Sequence, residues 1–280
     1  MVRYGFFLLC FCFCIPVLAY GDQSTVDETN STEKRSRTDV FEYGFFGHEP
    51  VYFVIGADPT HAKFQLSFKY RFLKLPDSVE SRWDRIENFY FGYTQTSFWD
   101  LDSASAPFVD SSYKPELFYF CSDIKQKWIP QIKRLGFQTG FQHESNGRDG
   151  LESRSLNIFY IKPMGTFGNL DGYHVTVAPK IWVHLGTPSE NSDIGDYRGY
   201  FDLGLSCEKT EGLKLSTNLR KGTSSGKGSI QVDFTYPMKE IFPSSLNLYF
   251  HVQFYSGYAE TLLYYNEDYA FLRAGFAVYR

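Results

Sequence analysis

From about residue 50 onward, apolar and polar residues alternate along the chain. Leu246, Leu248, Phe250, Val252 and Phe254 share one parity, and Asn247, Tyr249, His251, Gln253 and Tyr255 fill the other. Phe64, Leu66, Phe68, Tyr70 and Phe72 alternate in the same way with Lys63, Gln65, Ser67, Lys69 and Arg71. Val175, Val177, Ile181, Val183 and Leu185 do so with His174, Thr176, Lys180 and His184. Successive side chains of a strand point to opposite faces, so a period of two means a strand with one apolar face. The pattern predicts twelve strands, at 51–57, 63–72, 88–99, 115–121, 135–145, 155–164, 174–185, 200–207, 213–219, 230–236, 246–255 and 271–279. Two all-β architectures use such strands. A soluble sandwich buries the apolar face against a second sheet. An antiparallel transmembrane β-barrel turns it to lipid, with strands of about nine to eleven residues and, in bacterial single chains, an even strand number. The count, the lengths and the Tyr and Phe residues gathered near strand ends favour the barrel, with those rings as its girdles.

Composition sharpens this picture. The chain has 280 residues, 43% of them hydrophobic and 19% aromatic, with 21 Tyr and 28 Phe. Its mean hydropathy is nevertheless −0.31, which excludes a bundle of membrane helices. Averaging over alternating residues hides the apolar face. A net charge of −4 leaves no basic footprint for nucleic acid. Residues 1–19 open with Met1-Val2-Arg3, continue as an apolar run from Phe6 and end in Val17-Leu18-Ala19, the pattern of a cleaved export signal peptide. Residues 20–40 read as a flexible polar leader, and 41–280 as the barrel domain. Cleavage near Ala19 removes Cys10, Cys12 and Cys14, and the two remaining thiols, Cys121 and Cys207, make no disulfide framework. With both ends of the barrel domain in the periplasm, odd strands run outward. The segments 100–114, 146–154, 186–199 and 220–229 are then extracellular.

The candidate chemistry lies on one hairpin. In the fifth strand Leu135, Phe137, Thr139, Phe141, His143 and Ser145 share the apolar parity. An imidazole and a hydroxyl facing hydrocarbon need a reason, because each unsatisfied polar group there costs about several kcal/mol. Residues two apart on a strand have α-carbons about 6.5–7 Å apart and side chains on one face, so the ring can reach the hydroxyl. Asn157 falls on the apolar parity of the sixth strand, where hairpin pairing can set it opposite His143. Serine, histidine and an amide match a nucleophile, its base and an orienting group.

The string His143-Glu144-Ser145-Asn146-Gly147-Arg148, followed by Ser153-Arg154-Ser155-Leu156-Asn157, resembles the active-site hairpin of the outer-membrane phospholipase A family. Tyr93-Thr94-Gln95, Ser105-Ala106-Pro107-Phe108, Tyr113-Lys114-Pro115-Glu116-Leu117 and Tyr255-Ser256-Gly257-Tyr258-Ala259-Glu260 extend the resemblance over most of the chain. The resemblance implies a twelve-stranded outer-membrane barrel that hydrolyses acyl esters of outer-leaflet phospholipids with calcium, as a homodimer. It makes Ser145 the nucleophile, His143 the general base and Asn157 its orienter. It assigns calcium to the Arg148 carbonyl, to Ser153 and to Ser105 of the partner subunit, and it places Gln95 at the dimer interface. Glu144 stands where the family has aspartate, and by parity its side chain points to the lumen. The competing reading is a catalytically silent barrel with a structural or pore role.

Overall fold

The computed structural model describes residues 44–57, 59–73, 86–186, 189–240 and 247–280. The expected signal peptide and leader lie outside the described residues, as does Leu246 at the start of the eleventh expected strand. The wall consists of β1 (Val51–Ala57), β2 (Thr60–Arg71), β3 (Phe89–Asp100), β4 (Phe108–Cys121), β5 (Ile132–Ser145) and β6 (Ser155–Gly168). It continues with β7 (Tyr173–His184), β8 (Phe201–Lys209), β9 (Lys214–Lys221), β10 (Gly228–Pro237), β11 (Tyr249–Tyr258) and β12 (Asp268–Tyr279). Each strand pairs antiparallel with its chain neighbours. The ring closes where Phe276 of β12 sits opposite Phe53 of β1. The two-residue segment Phe45–Phe46 pairs with Tyr70 and Lys69 of β2 and prolongs the row of β1. The fold is therefore a closed all-β barrel of twelve strands among the described residues, as the alternation predicts. A sandwich is excluded, and no helix of the described residues is long and apolar enough to cross a membrane.

Strand ends differ from the expected ones where polar residues face inward. The fourth strand, expected at 115–121, begins at Phe108, so the expected loop 100–114 shrinks to 101–107. Asp110, Ser112 and Glu116 are buried in the lumen on alternate positions. A strand whose inner face is charged lacks the apolar run that marks a strand in sequence, and so it reads as a loop. The sixth strand runs on to Gly168, the eleventh is shifted to Tyr249–Tyr258 and the twelfth starts at Asp268.

The two faces of the wall are chemically opposite. Phe141, Leu117, Ile181, Val183, Leu272 and Phe276 are exposed outward, a band suited to hydrocarbon. The lumen instead holds ion pairs. Arg273 donates through Nε to His61 at 2.7 Å and through Nη2 to Glu260 at 3.0 Å, and Lys63 donates to Glu260 at 3.2 Å. Arg220 forks onto Asp202 at 2.7 and 2.8 Å. A cavity of about 610 Å³ remains among these side chains, which fill the interior too well for a wide pore. One end of the barrel is closed by residues 189–200, with the short helix α1 (Ile194–Arg198), and by the loop 259–267. Ile194, Leu262 and Tyr265 pack with Leu156, Ile158, Tyr160 and Trp182 into the main apolar cluster. Cys121 and Cys207 are both free.

Candidate active site on the barrel wall

The β5–β6 hairpin sets His143 directly opposite Asn157, Glu144 opposite Leu156 and Ser145 opposite Ser155. His143 and Asn157 are exposed on the outer wall, Ser145 is half-buried beside them, and Glu144 is buried inward. The Nδ1 of His143 lies 2.8 Å from Asn157 Oδ1. The amide oxygen can only accept, so Nδ1 carries the proton and Nε2 keeps its lone pair. Among the described residues Ser145 Oγ has no hydrogen bond, to His143 or otherwise. The strand spacing puts it on the same face, about 7 Å along the backbone. Hydrogen bonds of this kind often form or tighten only with a ligand bound.

Glu144 shows what a lumenal side chain does here. It lies 2.7 Å from Arg198 of α1, accepts from Ser112 Oγ at 2.7 Å and sits 3.8 Å from Lys114. It anchors the closing loop from inside, and the change from aspartate does not touch the outer face. On the other side of β5, pairing runs through Tyr113–Ser145 and resumes at Glu116–Gln142, leaving Lys114 and Pro115 out of the ladder. Pro115 has no N–H to offer, so the ladder is interrupted beside His143.

The loop after Ser145 is built around a residue that the motif names but does not explain. Asn146 is buried. Its Oδ1 accepts from the backbone N–H of Arg148 at 3.3 Å and of Arg154 at 3.0 Å, and its Nδ2 donates to the Glu152 carbonyl at 2.8 Å. Gly147 has φ of +67°, and a Cβ there would stand 3.0 Å from the Tyr113 ring, so both conformation and space call for glycine. The Arg148 guanidinium donates to the Val109 carbonyl at 2.6 Å and pairs with Glu152.

Asn191 and Asp193, in the loop after β7, carry no motif in the sequence. Asn191, 1% exposed, accepts from the Ser155 N–H at 3.2 Å and donates to the Ser155 carbonyl at 2.9 Å. This reciprocal pair imitates a strand neighbour at the start of β6, next to Ser145. The hydroxyl of Tyr265 donates to Asp193. Burial, and then the Asp193 carboxylate, push the Tyr265 hydroxyl up to about 12. Only the folded chain brings these loops together. Asn191→Ala is expected to leave both Ser155 groups unpaired and to speed Ser155 amide exchange by about tenfold or more, measured by hydrogen exchange.

Gln95 shares the outward parity of β3 and is half-buried. It accepts from Tyr93 at 3.1 Å and donates to Ser97 at 3.2 Å, so within one chain this amide is satisfied along its own strand. Arg148 and Ser153 lie on the single loop 146–154, whereas exposed Ser105 lies on the loop after β3. The hydroxyls of Ser153 and Ser105 have no hydrogen-bond partner among the described residues. Two open hydroxyls and a carbonyl are oxygen donors of the kind calcium accepts, and without a carboxylate they make a weak site. Among the described residues no cluster of three or more His, Cys, Asp or Glu could hold a metal.

Fold and surface together define the chain as a transmembrane β-barrel with a polar cluster on its lipid-facing wall. Residues 20–278 match the model of the phospholipase A1 family, and the chain belongs to that family. A Neisseria meningitidis serogroup B relative is 34% identical over 217 residues, which cover 74% of this chain and 51% of that protein. The phospholipase A1 of Salmonella typhimurium is 32% identical over 217 residues, covering 75% of this chain and 66% of that protein. The chain thus spans about half to two thirds of the length of these relatives. Among solved structures, the outer membrane phospholipase A of Escherichia coli superposes with a TM-score of 0.69 at 23% identity, covering 86% of this chain and 96% of that one. A Salmonella typhi outer membrane phospholipase, solved as a dimer with bound calcium, gives 0.69 at 25% identity, covering 84% and 92%.

Proposed function

We propose that the chain is an outer-membrane phospholipase A that hydrolyses acyl esters of glycerophospholipids, with Ser145 as nucleophile. The observation that carries this reading is the His143–Asn157 hydrogen bond on the lipid-facing wall, with Ser145 two residues along the same face. Asn157 holds the imidazole with Nε2 free. His143 takes the proton as Ser145 Oγ attacks the ester carbonyl, and returns it to the departing glycerol oxygen. Water then deacylates Ser145 with His143 again as base. In the loop after Ser145 the N–H groups of Arg148, Ser153 and Arg154 already have acceptors, whereas the Gly147 N–H has none among the described residues and is available to the developing oxyanion. The barrel end that carries this loop faces the outer leaflet, and the lipid-facing position gives Ser145 access to membrane lipid.

The active form is a homodimer, as the Salmonella typhi structure suggests, with Gln95 exchanging its in-strand partners for contacts across the interface. Calcium would be held by the Arg148 carbonyl, Ser153 and Ser105 of the partner subunit. When bound, it supplies positive charge that polarises the ester or its attacking water. The refolded chain in detergent is expected to release fatty acid and lysophospholipid in equal amounts with calcium. Complete chelation is expected to cut the rate by about a hundredfold, because one missing oxyanion partner costs on that order. Unchanged release under chelation would remove the metal from the proposal, and no release in calcium would favour a silent barrel.

A further inference from the structure

We propose that the loop joining β4 to β5, residues 122–131, is an interfacial anchor that binds the headgroups of anionic glycerophospholipids at the barrel end opposite Ser145. β5 carries His143 and Ser145 at one end and receives this loop at the other. Trp128 is 75% exposed, and only Leu151 is more exposed among the large apolar side chains described. Ile124 and Ile129 are exposed beside it in sequence. A soluble surface gains nothing from presenting such residues, whereas tryptophan at the rim of a lipid-facing wall sits at headgroup level.

The loop is held in shape by one side chain. Gln126 Nε2 donates to the carbonyls of Ile129 at 2.8 Å and Ile132 at 3.1 Å, and its Oε1 accepts from the Ile129 N–H at 2.9 Å. With Gln126 turned inward, the residues on either side are left exposed. Lys125, Lys127, Lys133 and Arg134 gather four cations in or next to the loop, against the single carboxylate of Asp123. Lys127 and Arg134 form no ion pair among the described residues, and Lys125 is 90% exposed although it contacts Asp123.

A lipid surface, not a protein, is the occupant that this arrangement fits. The wall leading to the loop is already lipid-facing. Phe89 at the adjoining end of β3 is exposed and lies 5.3 Å, ring to ring, from Tyr119 of β4. Aromatic rings and exposed cations at one level match the acyl boundary and phosphates of an anionic leaflet.

The test uses the full chain reconstituted in bilayers of ether-linked lipids, so that hydrolysis of acyl esters cannot affect the result. Association of ether-linked, spin-labelled phosphatidylglycerol is compared with ether-linked, spin-labelled phosphatidylcholine by electron spin resonance. The wild type is expected to favour phosphatidylglycerol several-fold, and the variant carrying Lys125→Gln, Lys127→Gln, Lys133→Gln and Arg134→Gln is expected to fall to a ratio near one. Trp128→Ala should halve the preference or more. A check that needs no variant is salt: about 0.5 M should erase the wild-type preference by screening. A wild-type ratio of one, or an equal preference in the fourfold variant, would overturn the proposal. So would displacement of the lipid by free glycerol phosphate, which would assign the cations to a soluble anion.

Discussion

Ser145→Ala is expected to reduce phospholipid hydrolysis by on the order of 10⁴-fold or more while leaving the barrel folded. Loss of a serine nucleophile removes the acyl-enzyme route altogether, and what survives is the contribution of binding and oxyanion stabilisation. The fold should tolerate the change because Ser145 is half-buried on the outer wall and its Oγ has no hydrogen bond among the described residues. Alanine removes one oxygen from a position where no other group depends on it. His143→Ala should cost nearly as much, and the double variant little more than either alone, because residues acting as a unit are not additive. The measurement is fatty-acid release from phospholipid in mixed micelles, alongside the heat-modifiable gel mobility of the barrel. Equal rates for wild type and Ser145→Ala would end the serine-hydrolase reading.

Glu260→Ala is expected to destabilise the barrel by about 3–5 kcal/mol, the usual cost of breaking a buried ion pair by removing one partner. The carboxylate enters the lumen from the loop after β11 and bridges strands at the seam of the barrel. Arg273 on β12 forks onto it, and Lys63 on β2 donates to it at 3.2 Å. Arg273 is 1% exposed and Lys63 4%, so removing Glu260 leaves two buried cations without their counter-charge. Burial alone would raise the Glu260 carboxyl, but Lys63 and Arg273 outweigh it and hold the group below its ordinary value. A lowered folded value means that this contribution is fully present above the ordinary carboxylate pKa of about 4.3 and disappears as pH falls through the folded value. Urea unfolding at neutral pH should therefore separate wild type from Glu260→Ala widely, and the gap should close as the solution is acidified. A constant gap down to the most acid conditions that keep the wild type folded would show that lost packing, not charge, sets the difference.

The motif around Ser145 was legible because it breaks a rule that the rest of the chain keeps. Gln95, His143, Ser145 and Asn157 are polar residues on the parity that otherwise faces lipid, and such exceptions stand out in a period-two pattern. The opposite kind of exception misleads. Asp110, Ser112 and Lys114 belong to β4, but their polarity reads as a loop, because in sequence a charged lumen and a solvated turn look the same. Asn146 lay within the recognised string without an assigned task. Asn191 and Asp193 carried no signal at all, and the resemblance reached Tyr265 without giving it a partner, since the groups they meet are 36 to 72 residues away.

Local alternation by itself determined that this chain forms strands with one apolar and one polar face, and adjacent strand parity placed His143, Ser145 and Asn157 on the same wall. Those are short-range properties, set by the pleat and by the register of a single hairpin. Which strand closes on which, how the ion pairs around Arg273 and Glu144 neutralise the lumen, and how Asn191 props the start of β6 were decided only by tertiary structure. Each depends on groups that are distant in the chain meeting in a low-dielectric interior. There an unpaired charge or N–H is costly, and only the closed barrel supplies the partner.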